Sequence, residues 1–283
     1  MATKLAFESF GQKNHPAIVF LHGGGSSSWS WHPEVALLQA DYFCLVPDLP
    51  QHGGSAQVKP FSIERAADEI TALIRSEVPA RKAVIVGLSE GAQVGVSLLA
   101  RAPDQVDSAI LSGALLKPMA SSRWFTPGIL RWSYNWFLKP FMHSDWYIRW
   151  NMHASVGIPD QYYEKFKQDF QMTSQESWSN LMLANQSFRL PSGVNQFQGR
   201  LLALVGHKEY GVMKESAREL ASAVQNGQAG EVRLEGKFSL AQSHNWPLNA
   251  PEKCADIIRA WVEAKPLPAE VLLFPAVPKN TSV

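Results

Sequence analysis

Ala83-Val84-Ile85-Val86-Gly87-Leu88-Ser89-Glu90-Gly91-Ala92-Gln93-Val94-Gly95-Val96-Ser97-Leu98-Leu99-Ala100 sets an apolar run, a Gly-x-Ser-x-Gly turn and a helix-like stretch in direct succession. The pattern reads as a nucleophile elbow, in which a strand turns sharply into a helix and holds a serine hydroxyl exposed at the turn. The flanking glycines have a physical reason: such a turn crowds the neighbouring backbone, and residues without a Cβ relieve the crowding. Five residues alone are a weak signal, because glycine and serine are common in turns. The strand-like and helix-like stretches on either side are what give the motif its meaning.

Working outward, short β-rich runs alternate with helix-period stretches, the pattern of an α/β protein with a mostly parallel, doubly wound sheet. The expected strands are Leu5–Ser9, Ala17–Leu21, Tyr42–Val46, Ala83–Val86, Ser108–Leu111, Leu201–Val205 and Glu231–Leu234. Helices are expected over Ile63–Ile74, behind Ser62 as N-cap, and over Val212–Val224 and Pro251–Val262. The alternation breaks between about Leu116 and Gln198, a segment dense in aromatics with little strand character. It reads as a helical cap inserted between two sheet strands. The expected division is 1–115 and 199–265 as the core, 116–198 as the cap and 266–283 as an extended tail. Aromatic stripes are usually packing, yet a cap over the carboxyl ends of the strands would place some rings around an apolar pocket. Trp29, Trp124, Trp136 and Trp150 are the candidates.

A serine hydroxyl needs a base, so a histidine on a loop near the elbow is the next requirement. His244 follows the last expected strand in Gln242-Ser243-His244-Asn245-Trp246-Pro247. With the Ser-His-Asn-Trp-Pro-Leu-Asn-Ala-Pro-Glu stretch and the chain order of its motifs, the sequence from Leu5 to Val262 resembles the α/β-hydrolase superfamily. The resemblance implies an α/β-hydrolase fold and a serine, acid and histidine in that order. The acid is expected after Leu201–Val205, where Val205-Gly206-His207-Lys208-Glu209 resembles the family's strand-end turn and points to Glu209. Most members carry aspartate there. Asp48 is the rival, but Pro47 to Ser55 resembles a loop the family uses structurally. Leu21-His22-Gly23-Gly24-Gly25 resembles the family's oxyanion loop, which implies the Gly24 amide, ahead of that of Gly25, as one donor and the Glu90 amide as the other. The Glu90 side chain has two readings: a carboxylate placed for the helix dipole, or one that steers cationic or polar substrates. His22 reads as a structural hydrogen-bonding residue.

Composition narrows the field. A chain of 283 residues with net charge +1 carries no electrostatic footprint for nucleic acid or an acidic membrane surface. Two cysteines, Cys44 and Cys254, read as buried free thiols. No signal peptide or membrane-length apolar run is legible, so a cytoplasmic location is expected. No metal-ligand spacing or phosphate-cradling loop occurs, and no cofactor is expected. The partner is a small molecule; the sequence carries no reading of oligomeric state. The leading expectation is a serine hydrolase cleaving a carboxylic ester of a small to medium, partly apolar substrate through an acyl-enzyme. Carbon-carbon bond or lactone hydrolysis on the same triad is the alternative, and a non-catalytic ligand-binding or receptor protein with this fold is the reading from another class.

Overall fold

The structure is a computed structural model and describes residues 4–119 and 124–275. Eight strands form one sheet: β1 (Phe7–Phe10), β2 (Ala17–Leu21), β3 (Phe43–Pro47), β4 (Ala83–Leu88), β5 (Val106–Ser112), β6 (Arg200–Gly206), β7 (Asn226–Val232) and β8 (Val271–Leu273), in the order β1-β3-β2-β4-β5-β6-β7-β8. β3 to β7 and β2 pair in parallel, and the two edge strands, β1 on β3 and β8 on β7, are antiparallel.

The helices outside the β5–β6 connection are α1 (His32–Leu38), α2 (Ile63–Glu77) and α3 (Glu90–Arg101). The connection itself carries α4 (Pro127–Ser133), α5 (Asp145–Asn151), α6 (Tyr163–Met172) and α7 (Gln175–Ser187), with π turns at Tyr134–Leu138 and Met152–Val156. After it come α8 (Gly211–Ala223), α9 (Leu240–His244), α10 (Trp246–Asn249) and α11 (Pro251–Val262). The expected N-cap of α2 is present: the Ser62 hydroxyl accepts from the Arg65 amide at 3.1 Å.

The sheet's alternation builds two cores. Val19, Leu21 and Ile85 face one side and pack with α2, α3 and α8, whereas Ile18, Phe20, Val84 and Val86 face the other and meet α1 and α11. A buried Phe such as Phe20 contributes enough that truncation to alanine costs about 3–5 kcal/mol. The β5–β6 connection has its own core around Leu138, Ile148, Met152 and Phe166, while its last part, through Phe188, Val194 and Phe197, packs into the first core with α3.

β7 begins five residues ahead of the expected strand. Its first half, Asn226-Gly227-Gln228-Ala229-Gly230, has no strand propensity of its own and is extended because β6 pairs with it along its length. Of the expected tail, Val271–Leu273 is recruited as β8, and 276–283 lies outside the described residues. No described helix is long and apolar enough to cross a membrane.

Candidate active site

β4 runs into α3 through Ser89, which holds φ 55° and ψ −115°, a backbone region that residues with a Cβ rarely occupy. Its amide donates to the Ser112 carbonyl at 2.7 Å, tying the turn to the end of β5. The two glycines of the motif are where the chain passes closest to itself. A Cβ on Gly91 would lie 2.2 Å from the Leu21 carbonyl oxygen, and one on Gly87 would lie 2.7 Å from that of Gly91.

His244 closes α9, a short helix capped by Ser239 through reciprocal bonds with Gln242, where a loop is expected from the sequence. The Lys208 amide donates to the Ser243 hydroxyl at 3.0 Å, so the turn after β6 and the end of α9 are fastened together. That fastening brings His244 against Glu209: Nδ1 and Oε1 are 2.5 Å apart. A carboxylate only accepts, so Nδ1 carries the hydrogen and Nε2 is left with a lone pair. Burial pulls the His244 pKa down, but the hydrogen bond and charge of Glu209 outweigh it and leave the imidazole above its ordinary 6.5.

Ser89 and His244 open on one cavity of about 320 Å³, the size of a small-ligand site. Its floor is made of the ends of β2 and β4, with Gly24, Gly25 and His52, and its walls come from the β5–β6 connection, with Leu138, Val156, Phe166, Phe170 and Leu181. The Gly25 amide is directed at His52 Nε2 at 3.4 Å, whereas the amides of Gly24 and Glu90 have no partner among the described residues. α3 points its N-terminus at the same place, with a dipole that favours negative charge.

His22 is fully buried, accepts from the Leu49 amide at Nε2 and donates from Nδ1 to the Gly23 carbonyl. Burial lowers its pKa and holds it neutral, in a structural role. Asp48 accepts from the Ser28 and Gly54 amides at 2.7 and 2.8 Å and organises the loops beneath the cavity. Glu90 lies in the first turn of α3, and the structure corrects the substrate-steering reading of its side chain. Its carboxyl is buried, has no hydrogen-bond partner among the described residues, and is pushed well above the usual carboxylate range by that burial. Burial works against the charged form that a cationic substrate would need, and the side chain is not among the cavity walls. His52, brought down to about 3 by burial first and by His22, has its Nε2 3.9 Å from Glu90 Oε1.

The four tryptophans expected at the pocket are elsewhere. Trp29 is buried beside it, its Nε1 donating to Asp169 at 2.7 Å; Trp124 faces solvent, and so do Trp136 and Trp150, whose helical turns bury the opposite side. Trp178 is the tryptophan that lines the cavity. Asp169 also lines it and takes the Ser27 hydroxyl at 2.8 Å on the same oxygen as Trp29. Burial raises its pKa, against the two hydrogen bonds. The sequence signal for it was a carboxylate three residues after Phe166 and one before Phe170, on the inward stripe of α6.

The model of the alpha/beta hydrolase fold family matches residues 16–199. The chain belongs to that family. An alpha/beta hydrolase relative, the pimeloyl-[acyl-carrier protein] methyl ester esterase of Vibrio parahaemolyticus, is 35% identical over 124 residues, covering 44% of this chain and 46% of that protein. The 3-oxoadipate enol-lactonase 2 of Acinetobacter baylyi is 26% identical over 151 residues, covering 44% of this chain and 56% of the other. The matched stretches thus span about half the length of these curated relatives. Among solved alpha/beta hydrolase structures, a thermophilic esterase from Thermogutta terrifontis superposes with a TM-score of 0.72 at 20% identity, over 92% of this chain and 93% of that one.

Proposed function

We propose that this alpha/beta hydrolase is a serine hydrolase that cleaves a carboxylic ester of a small to medium, partly apolar molecule. The observation that carries the reading is the His244–Glu209 pair at 2.5 Å, opening with the strained Ser89 on one cavity. Ser89 Oγ attacks the ester carbonyl while His244 Nε2 takes its proton, and Glu209 holds the imidazole and stabilises its charged form. The amides of Gly24 and Glu90 receive the oxyanion. The tetrahedral intermediate collapses, His244 returns the proton to the departing alkoxide, and water then cleaves the acyl-enzyme by the same proton path in reverse.

In this reading 116–198 is a cap that supplies the walls, and 1–115 and 199–265 are the core that supplies the chemistry. The apolar walls with Asp169, Asn151 and Thr173 among them suit an acyl group of mixed polarity. Ring-opening of a lactone is the second reading, favoured by the enol-lactonase relative, and it uses the same residues.

Chromophore release from aryl esters graded from acetate to laurate, by the parent and by Ser89→Ala, tests the assignment. Turnover by the parent that vanishes in the variant supports it, and the chain-length optimum gauges the cavity. Turnover that survives in Ser89→Ala overturns the nucleophile. A parent inert towards esters and lactones, and unlabelled by a fluorophosphonate, overturns the hydrolase reading in favour of ligand binding without catalysis.

A further inference from the structure

The first half of the β5–β6 connection is apolar on two opposite faces. Through α4 and the π turn after it, Leu130, Tyr134 and Leu138 are buried at i, i+4 and i+8, while Ile129, Trp132 and Trp136 emerge at i, i+3 and i+7. α5 repeats the arrangement: Ile148 and Met152 are buried, and Trp146 and Trp150, one turn apart, face solvent. Trp132, Trp136, Trp146 and Trp150 are 54, 64, 65 and 56% exposed. The rings form two groups, Trp132 on Phe137 at 5.2 Å, and Trp146 on Tyr147 at 5.6 Å with Tyr147 on Trp150 at 6.0 Å; Phe141, four residues after Phe137, meets Trp146 at 6.2 Å. A surface helix needs one apolar stripe for its core; a second, built of tryptophan and turned to water, marks an interaction surface.

Charge selects what it meets. Arg131 and Lys139 are exposed on the same stretch and form no ion pair among the described residues. The two carboxylates within 127–160 are both engaged: Asp145 by Lys167 and Tyr163, and Asp160 by Arg149 and His153. Tryptophan belongs to the bilayer interface, where ring and N–H are satisfied together by acyl chains and headgroups, and neighbouring Arg and Lys draw anionic headgroups. A two-fold contact of this stretch with itself would offer Arg131 and Lys139 no free carboxylate, since Asp145 and Asp160 are engaged. The near-neutral total charge, which alone argues against a membrane, does not say where the charges lie: Arg131 and Lys139 are two cations without an ion pair among the described residues on the tryptophan stretch itself.

We infer that this face docks on the surface of an anionic glycerophospholipid bilayer, with Trp132, Trp136, Trp146 and Trp150 seated at headgroup level. Leu138 and Val156, on the inner side of the same turns, line the cavity, so the docked face and the cavity wall are two sides of one layer. The inference holds whether or not Ser89 is a nucleophile.

Vesicle sedimentation with the full chain tests it, using phosphatidylcholine vesicles and vesicles of phosphatidylcholine and phosphatidylglycerol in equal parts. The parent is expected to bind the anionic vesicles roughly tenfold more tightly, and less so as salt is added. Trp132→Ser with Trp136→Ser should weaken binding to both vesicles by about tenfold, and Arg131→Gln with Lys139→Gln should close the gap between them. Near-ultraviolet circular dichroism of each variant reports that it is folded. A parent that stays in the supernatant with both vesicles overturns the proposal. So does a parent that is dimeric without lipid and becomes monomeric with the two serine substitutions, which assigns the face to a second copy.

Discussion

Gly113, at φ +68°, lies so close to His244 that a Cβ built on it would stand 2.8 Å from the imidazole Cε1 and 3.2 Å from Nδ1. The end of β5 is therefore a rest for the ring beside the Nδ1 that Glu209 holds. Gly113→Ala should push the imidazole off its line to Ser89, lowering kcat by about a hundredfold while KM stays within about twofold. The strained φ adds a stability loss of about 1 kcal/mol. Steady-state kinetics on an aryl acetate check this, and an unchanged kcat would show that the ring position does not matter.

Glu209 should set the acid limb of the pH profile. In the proposed mechanism the base form of His244 is the active one, and its pKa is raised above 6.5, so kcat/KM is expected to fall as pH drops through a value higher than that of a free imidazole. In Glu209→Gln the charge that raises the pKa is gone and burial remains, so the limb should move to lower pH while kcat falls by about 10³–10⁴. A profile of the variant with its limb in the parent's place would remove Glu209 from its role.

Glu34 should make the protein less stable as pH rises. Its buried carboxyl, unpartnered among the described residues, is pushed up to about 8, by burial above all. Folded chain thus binds a proton that unfolded chain releases from about 4.5 upward, and stability is lost across that window by roughly 1.4 kcal/mol per pH unit. Glu34→Gln should therefore gain on the parent progressively between about pH 5 and about pH 8, read by urea unfolding. A difference that stays flat across the window would sink the assignment.

Asp169 ties the β5–β6 connection to the loop after β2 through Ser27 and Trp29. Asp169→Ala leaves a buried indole N–H unpaired, costing about 1–3 kcal/mol, and loosens one cavity wall. KM is expected to rise about tenfold with kcat nearly unchanged, and Asp169→Asn, which keeps an acceptor, should restore most of the loss. Equal falls in kcat for both variants would place Asp169 in the chemistry instead.

What could be read in the sequence was what depends on near neighbours. β2 and β4 are apolar runs that need no context, and Ser89 announces itself because its glycines are fixed by the turn it sits in. Glu209 and His244 were legible through motifs in turns after successive strands, and the fold brings them into hydrogen-bond contact. The first half of β7 was hidden, since its glycines and polar residues become a strand through pairing with β6. The exposed tryptophans were hidden for a different reason. Helices with apolar residues all round do not say which side turns inward, and a rotation of about half a turn exchanges Trp136 for Tyr134. Glu90 was misread because its burial arises from the packing of α3 against the glycine loop, far from it in sequence.

The connection between β5 and β6 leaves the sheet after Ser112 and rejoins it at Arg200, and the residues assigned here to proton transfer and oxyanion binding all lie outside it. One uninterrupted block of chain thus carries the apolar cavity walls and the tryptophan face together. A lineage that recombined or rewrote this block would inherit a new diet and a new address in a single event, with the reaction itself left intact.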